Sequence, residues 1–456
     1  MADNKVDSGS YLIFTVSLGL IGSCILMDAP LYIGFFCAVV FSAALLVKKG
    51  HKPRTLIDMM LAGIKDCILL FITITFIGAT VSIWMSSGIV PALMYYGFGY
   101  VMNINYLLAC FIITAVVSIV MGTAVGTIST IGIALIGIGK GFAIPDGLLL
   151  GAVVSGAFVA DRVSPLGGLV NLTMKTVGLS YREYVKSILR TLVPSIIVVA
   201  LIYYFFGRGY MSSDPTRIAA LRENINKAFV IKPALLLLPV IVMVLAVSGV
   251  KPIINMGLGV TAGSFISILL QKNTLPEVLN YIFTGYKSAS GIVVLDSILK
   301  GGGILPMLEV ILIVAGAVAL SSLLEGTNII NPIIARVVDK AKTKLSLISR
   351  TAALSGLLTI ATCDQTAGII LLGRLLQDRF SEMGISRDKL SRTIAETGTT
   401  IAPLIPWNVN SIIILAITGV STMEYAPYAV LCYAAPVIAV FSGVLKEKSD
   451  SLYNRV

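Results

Sequence analysis

The sequence has 456 residues, of which 57% are hydrophobic and 12% charged, with 34 Lys and Arg against 23 Asp and Glu for a net charge of +11. A soluble domain carries roughly 25% charged residues, and the mean hydropathy here is +0.94, so a water-soluble globular fold is excluded. The surplus cations are no nucleic-acid footprint, because they lie in short loops between apolar spans: Lys48, Lys49, Lys52 and Arg54 in one, Arg336, Lys340, Lys342, Lys344 and Arg350 in another. That bias marks cytoplasmic loops and sets topology.

From Cys67 to Gly139 there is no Asp, Glu, Lys or Arg. Successive bilayer-spanning helices of about 20 residues each account for such a run, and in lipid they satisfy their own backbone. The alternation of a membrane β-barrel is absent. The fold class expected is an all-α polytopic membrane protein, multi-pass in the cell inner membrane, with a cytoplasmic N-terminus.

In chain order the apolar segments run approximately 11–27, 30–47, 67–86, 104–121, 147–160, 184–206, 229–249, 252–271, 310–324, 351–362, 411–422 and 426–445. No small-residue cleavage site follows the first, so no cleavable signal is expected. Segments 84–100, 122–139, 161–180, 284–303, 363–376 and 396–410 are apolar but rich in Gly, Pro, Ser and Thr. Glycine costs about 1 kcal/mol in a helix and proline removes a donor, so these read as re-entrant or broken helices. Such backbone is tolerated at membrane depth only inside protein or facing water. The polar connection 207–232 reads as a surface linker between two halves.

The halves repeat. Pro91 aligns with Pro332, Gly122–Thr127 with Cys363–Gly368, and Gly178, Ser180, Glu183 and Tyr184 with Gly419, Ser421, Glu424 and Tyr425. After a shift of three residues, Ser164, Pro165 and Leu166 meet Ala402, Pro403 and Leu404. Loop 95–105 is uncharged, whereas its counterpart near 336–350 is basic, which places equivalent loops on opposite sides of the membrane. This implies inverted-topology repeats with a binding site near the midplane. The units expected are N-terminal helices 1–66, a first repeat 67–206, a linker with connecting helices 207–275 and a second repeat 276–456.

Two constellations bear chemistry. In the first, Gly122, Thr123, Gly126, Thr127 and Ser129 offer hydroxyl and carbonyl oxygens of the kind hard cations prefer, although small residues also serve helix packing. Its counterpart holds Asp364, Gln365 and Thr366, and a carboxylate in an apolar stretch is a functional candidate by default. In the second, Asp161, Ser164, Gly167, Gly168 and Asn171 pair with Thr399, Thr400, Trp407, Asn408 and Asn410, around Pro165, Pro403 and Pro406. Two readings stand for Asp161: a coupling charge, or a salt bridge with Arg162 at a membrane boundary.

Glu325 and Glu396 either carry protons, cap a helix or pair with an arginine. Asp296 is coupling-related or buried beside Lys300, and Lys175 and Arg374 are placed to snorkel. Trp84 and Trp407 are interfacial anchors or packing residues. His51 is the one histidine, which rules out a His-based metal site within the chain. Cys24, Cys37, Cys67, Cys110 and Cys432 read as small core hydrophobes, while Cys363 belongs to the first motif pair.

At these motifs the sequence resembles the NhaC family of sodium/proton antiporters, which includes malate/lactate antiporters. The resemblance is strongest from Thr362 to Val420, through Asp364–Gln365, Gly373–Arg374, Leu390–Thr393 and Ala402–Asn408. Gly122–Thr130 and Asp161–Leu166 match too, and with Trp84, Ser87, Gly88 and Pro91 the likeness covers most of residues 67–440. It implies the ion-transporter superfamily fold, two inverted repeats each with a hairpin and an unwound helix. The sequence departs from the pattern at Gly167, Gly168, Leu169 and Val170, where the family continues Ser-Asp-Thr-Thr, and at Val409 and Asn410, where it often has Thr-Cys. A carboxylate and hydroxyls are thereby lost, while exposed backbone amides and space suited to an organic carboxylate or amino acid are gained.

The expectation is therefore a secondary transporter, not an enzyme, since no GxSxG or HExxH set is present. It moves a small organic anion or amino acid with sodium or proton as coupling ion and no other cofactor. Asp161 and Asp364 are the preferred coupling charges, with Glu325 and Glu396 as further candidates, and Thr127, Asp364 and Asn408 are the sodium ligands. Partners are the lipid bilayer and a second copy in a homodimer. Sodium/proton antiport without organic solute is the alternative within the class, and a passive channel is the alternative outside it.

Overall fold

The computed structural model describes residues 8–100, 104–210 and 215–442. Parts of loop 95–105, of connection 207–232, of the apolar segment 426–445 and of the end units 1–66 and 276–456 lie outside the described residues. Helix makes up 82% of the fold, confirming an all-α polytopic membrane protein. Eight helices are long and apolar enough to cross a membrane, or up to 11 if three bent pairs each count as one span.

The first half opens with α1 (Ser8–Leu26) and α2 (Leu31–Lys48), a hairpin of apolar helices, followed by α3 (Pro53–Asp66) and α4 (Ile68–Ser86). The amphipathic α3 escapes a search for apolar spans because Arg54, Asp58, Lys65 and Asp66 interrupt it, and it starts on Pro53, whose fixed φ suits a first turn. Then come α5 (Ile89–Tyr100), α6 (Tyr106–Met121), the short α7 (Ala124–Thr127), a π-turn at Ile128–Gly132 and α8 (Ile133–Gly141). Next, α9 (Asp146–Ala157) is buried from Gly147 to Ala157 and forms the centre of the bundle. The half closes with α10 (Ala160–Val163), α11 (Gly168–Val177) and the long α12 (Tyr181–Gly207).

The 207–232 connection is not an open linker, because α13 (Pro215–Ala228) fills most of it. Ile218, Leu221 and Ile225 bury one helical face, Phe229 just past its end is buried too, and Arg222 lies 4.5 Å from the centre of the Tyr95 ring. After it come α14 (Leu237–Val247), α15 (Pro252–Leu269) and α16 (Leu275–Thr284). A two-residue ladder, β1 (Tyr286–Lys287) with β2 (Lys300–Gly301), encloses α17 (Val293–Ile298). Within it Asp296 accepts from Ser290 N–H at 2.9 Å and Gly291 N–H at 3.1 Å. The Ser290 hydroxyl donates to it as well, at 2.6 Å, so it is a local loop cap rather than a buried partner of Lys300.

The second half continues with α18 (Ile304–Gly326), α19 (Ile330–Asp339), α20 (Lys344–Thr362), α21 (Thr366–Leu375), α22 (Gln377–Glu382) and α23 (Arg387–Ile394). A π-turn at Ala395–Thr399 and a 3-10 turn at Ala402–Leu404 lead into α24 (Val409–Thr418), α25 (Thr422–Tyr425) and α26 (Val430–Ser442). All six Gly- and Pro-rich segments carry a break or an irregular turn.

Aligned positions of the halves adopt like backbone. Gly122 at φ +77° ends α6 and Cys363 at φ +61° ends α20; left-handed backbone is unusual for a residue with a Cβ. Gly178 at +74° and Gly419 at +71° end α11 and α24. Each is followed by a capping box, Ser180 with Glu183 and Ser421 with Glu424, in which side chain and backbone satisfy each other's free donors.

The halves also exchange hairpins. The first half's α2 and α3 pack on α18 of the second, while the second half's α15 and α16 pack on α4 of the first. Close approach depends on missing side chains: a Cβ at Gly316 would stand 2.7 Å from Phe35, and one at Gly263 2.6 Å from Ile83. Small residues play this role widely between membrane helices. The outward faces are apolar, as Leu237, Val240, Val244 and Val247 on α14 illustrate. Cys37 is exposed and Cys67 half-buried, so neither belongs to the core as expected; in a membrane chain, apolar helix faces are shared between protein and lipid.

At the centre, Arg162 of α10 forms an ion pair with Glu396, both side chains being fully buried. Arg162 Nε also donates to Thr400 Oγ1 at 3.2 Å, and Thr191 on α12 donates to Glu396 Oε1 at 2.9 Å. The salt bridge considered between Asp161 and Arg162 is thereby replaced by one across the halves. Removing one partner of a buried pair strands a charge and costs about 3–5 kcal/mol, whereas an apolar pair of similar volume is often tolerated. Arg162→Met and Glu396→Leu are each expected to lower stability on that scale, with most of the loss recovered in the double variant. A double-mutant cycle by thermal unfolding in detergent measures this; simply additive losses would mean the two charges are not coupled.

Candidate functional site

In the first half two breaks close on each other. Gly122, where α6 stops, lies against Leu166, and a Cβ there would sit 2.7 Å from the Leu166 Cβ. The hydroxyl of Ser164, just past α10, donates to the carbonyl of Ile119 at 2.6 Å. Asn171 on α11 folds back to donate to the carbonyls of Pro165 and Gly167, at 3.1 and 2.9 Å. Half-buried Asp161 accepts the backbone amide of Ala124, placing a carboxylate at the first residue of α7, where free N–H groups favour negative charge. Thr127 and Ser129 are buried and turn their hydroxyls onto the carbonyls of Thr123 at 2.9 Å and Gly126 at 3.0 Å.

The second half repeats the scheme with different side chains. The carbonyl of Cys363, where α20 stops, accepts the amide of Val409 at 3.1 Å, so the break at Cys363–Gln365 meets the one at Ile405–Asn408. Asp364 Oδ2 accepts the amide of Thr366 at 3.1 Å, and Thr362 donates to the Asp364 carbonyl at 2.9 Å. Asn408 caps α24, its Oδ1 accepting from Asn410 N and Nδ2 at 3.0 and 3.1 Å. The Asn408 Nδ2 and the Gln365 Nε2 are buried without a partner. Thr399 donates to Ala395, and Thr400 belongs to the Arg162 network. Trp407 donates to the Ile360 carbonyl at 2.8 Å, a packing role rather than an interfacial one.

Across the halves, α11 lies on α21 and α24 meets α7, so broken helices of the two halves adjoin. Asp161 and Asp364 nevertheless belong to different breaks. Asp364 lies in the neighbourhood of Cys67 and Glu325, and exposed Glu325 accepts from Ser321 at 2.8 Å. No hydrogen bond joins Thr127, Asp364 and Asn408 among the described residues. Glu396 is held in its ion pair. Lys175 and Arg374 are exposed, and Gly168 is exposed with nothing within 4 Å of an added Cβ.

Two cavities adjoin the breaks. One of about 280 Å³ is bounded by Thr123, Gly126, Ser129, Thr130 and Leu166 on one side, by Trp84 on α4, and by the α14–α15 hairpin. Trp84 is 2% exposed, which excludes an interfacial anchor. The other, about 610 Å³, lies between the α1–α2 connection, α18 and Pro406, with Asp28 and Glu309 among its walls. Sequence reasoning missed both hairpins as cavity walls. It also left out Thr191 and weighed Arg162 only against its neighbour, although an arginine inside an apolar run signals a buried partner.

A family model described as the Na+/H+ antiporter family matches residues 168–446. The Na(+)/H(+) antiporter NhaC of Alkalihalophilus pseudofirmus is 28% identical over 430 residues, 93% of this chain and 92% of that protein. The malate-2H(+)/Na(+)-lactate antiporter of Bacillus subtilis is 26% identical, with 95% of this chain and 93% of its own length covered. The arginine/ornithine antiporter ArcD of Halobacterium salinarum is 28% identical, with 85% and 80% covered. Together with the apolar helices and the paired breaks, the match over more than half of the sequence establishes that this multi-pass membrane chain belongs to the Na+/H+ antiporter family.

Proposed function

We propose that the protein is a secondary active transporter in which a sodium or proton gradient drives a small organic solute, a carboxylate or an amino acid, by alternating access. The observation that carries this reading is the packing of broken helices of one half on those of the other, with a cavity of solute size beside a break of each half. Irregular backbone at membrane depth belongs where it lines a site. The matched backbone and exchanged hairpins support treating the halves as inverted repeats, with the N-terminus cytoplasmic. Coupling is assigned to Asp161 and Asp364, whose carboxylates each meet a backbone amide at a helix start. A cation or proton arriving at Asp161 competes with the Ala124 amide, next to cavity-lining Thr123. Sodium/proton exchange without a solute is the second reading, favoured by the likeness to the NhaC antiporter; proton competition with sodium at one carboxylate suffices for it.

Proteoliposomes loaded with organic acids and amino acids, under separately imposed sodium and pH gradients, separate the two. The relatives' names make malate, lactate, arginine and ornithine the first solutes to try. Gradient-driven movement of one labelled solute supports the proposal, and a sodium-driven pH change with no solute requirement replaces it with plain antiport. Asp364→Asn is expected to remove a coupling free energy of about 1–3 kcal/mol, a 5–150-fold loss in the ion's effect on solute affinity; undiminished driven transport would remove Asp364 from the site. Gly168→Asp fits without steric conflict and restores the family's carboxylate. It is expected to impair organic-solute transport while leaving thermal stability unchanged, and unaltered uptake would sink the role given to the glycines.

A further inference from the structure

The 280 Å³ cavity is walled on one side by α15, a helix outside the motif constellations. Lys251, Asn255 and Gly259 succeed one another at intervals of four and so share one face of that helix, and all three line the cavity. Lys251 precedes the first turn of α15 as its N-cap residue. It is exposed, forms no ion pair among the described residues, and is the one charged side chain among those lining the cavity.

Two of the buried polar groups lining the cavity are incompletely satisfied. Asn255 is 5% exposed, and its Nδ2 donates to the Val242 carbonyl at 2.9 Å, which leaves Oδ1 without a donor. Trp84 Nε1 is likewise buried with no acceptor, and Gly259 lies beside the indole, with its Cβ position at an ordinary contact distance of 3.6 Å from Nε1. Buried polar atoms without partners are rare and costly. Here a donor, an acceptor and a cation line one cavity.

We infer that this cavity seats the carboxylate of a small acid bearing a neighbouring hydroxyl or amino group, taken by Lys251 and the Trp84 N–H, with the neighbouring donor on Asn255 Oδ1. The assignment rests on the transport reading and deepens it by naming the seat. With one cation and no carboxylate on its walls, the cavity suits an anion and repels a bare metal ion. A ligand lacking the extra donor leaves Asn255 Oδ1 unsatisfied, and sites built on buried hydrogen bonds discriminate strongly against such analogues. Thr123 and Gly126 line the same space, so an occupied cavity touches the segment whose first amide Asp161 holds.

Trp84 and Trp407 are the chain's two tryptophans, so Trp407→Phe in the full chain leaves a single indole, in the cavity. That protein, purified in detergent, is titrated with chloride, acetate, glycolate, L-lactate, L-malate, glycine and L-ornithine while Trp84 emission is read. At least one hydroxyl- or amino-bearing acid is expected to change the emission saturably, with acetate about tenfold weaker or worse and chloride inert. Adding Lys251→Met, on an exposed site where folding is not at stake, is expected to weaken that binding by at least about tenfold, as is Asn255→Leu.

No saturable change with any probe, or binding unweakened by Lys251→Met, overturns the inference. Lys251→Met and Trp84→Phe, each made in the otherwise unaltered chain, are assayed for uptake in proteoliposomes. Driven uptake of an acid that survives both Lys251→Met and Trp84→Phe places the solute elsewhere and leaves the transport reading standing. Saturable, Lys251-dependent binding without gradient-driven uptake upholds the cavity and overturns the coupling.

Discussion

The pairing of Arg162 with Glu396 constrains everything around it. Two charges removed from water in a membrane protein are tolerable only together, so the chain must bring α10 of the first half to the π-turn of the second. Thr191 on α12 and Thr400 supply further hydrogen bonds to the pair. Once these are joined, the break after α10 and the break before α24 have little choice of position. The pair thus fixes from within what lipid, being uniformly apolar, cannot fix from outside.

Around that tie the two halves solve the same local problem with different side chains. A long helix ends in a left-handed residue, a carboxylate accepts the amide at the start of the next helix or beside it, and a proline-broken segment closes over the gap. In the first half the left-handed residue is Gly122 and the carboxylate comes from Asp161 on the opposing break. In the second it is Cys363, and Asp364 lies one residue away. Similar backbone with relocated charge gives two related but chemically distinct mouths, one walled by Lys251 and the other by Asp28 and Glu309.

Much of this was legible in the residues. Apolar runs located most spanning helices, and Gly and Pro marked the six irregular segments, because backbone irregularity is written in the residues that permit it. What escaped depends on contacts between distant parts of the chain. Amphipathic α3 and α13 resemble loops when scored by apolarity, yet Ile218, Leu221 and Ile225 bury one face of α13. Arg162 was weighed against Asp161, its neighbour in sequence, and found its partner Glu396 in the other half. Lys251 and Asn255 drew no notice because no local motif distinguishes a polar residue at a cavity wall from one at a helix end.

The exchanged hairpins have a consequence for biosynthesis. The seat of α2 and α3 is α18, which leaves the ribosome only after most of the intervening chain. At 5–20 residues per second, the first helices wait roughly 10–50 s in the bilayer before their partner is inserted. During that interval the faces that meet α18, at Phe35 on α2 and at Gly63 on α3 against Ser322, are covered by lipid or by a chaperone rather than by their own chain. By contrast, α15 and α16 find α4 already in place, so the two interfaces, alike in geometry, are completed in opposite orders.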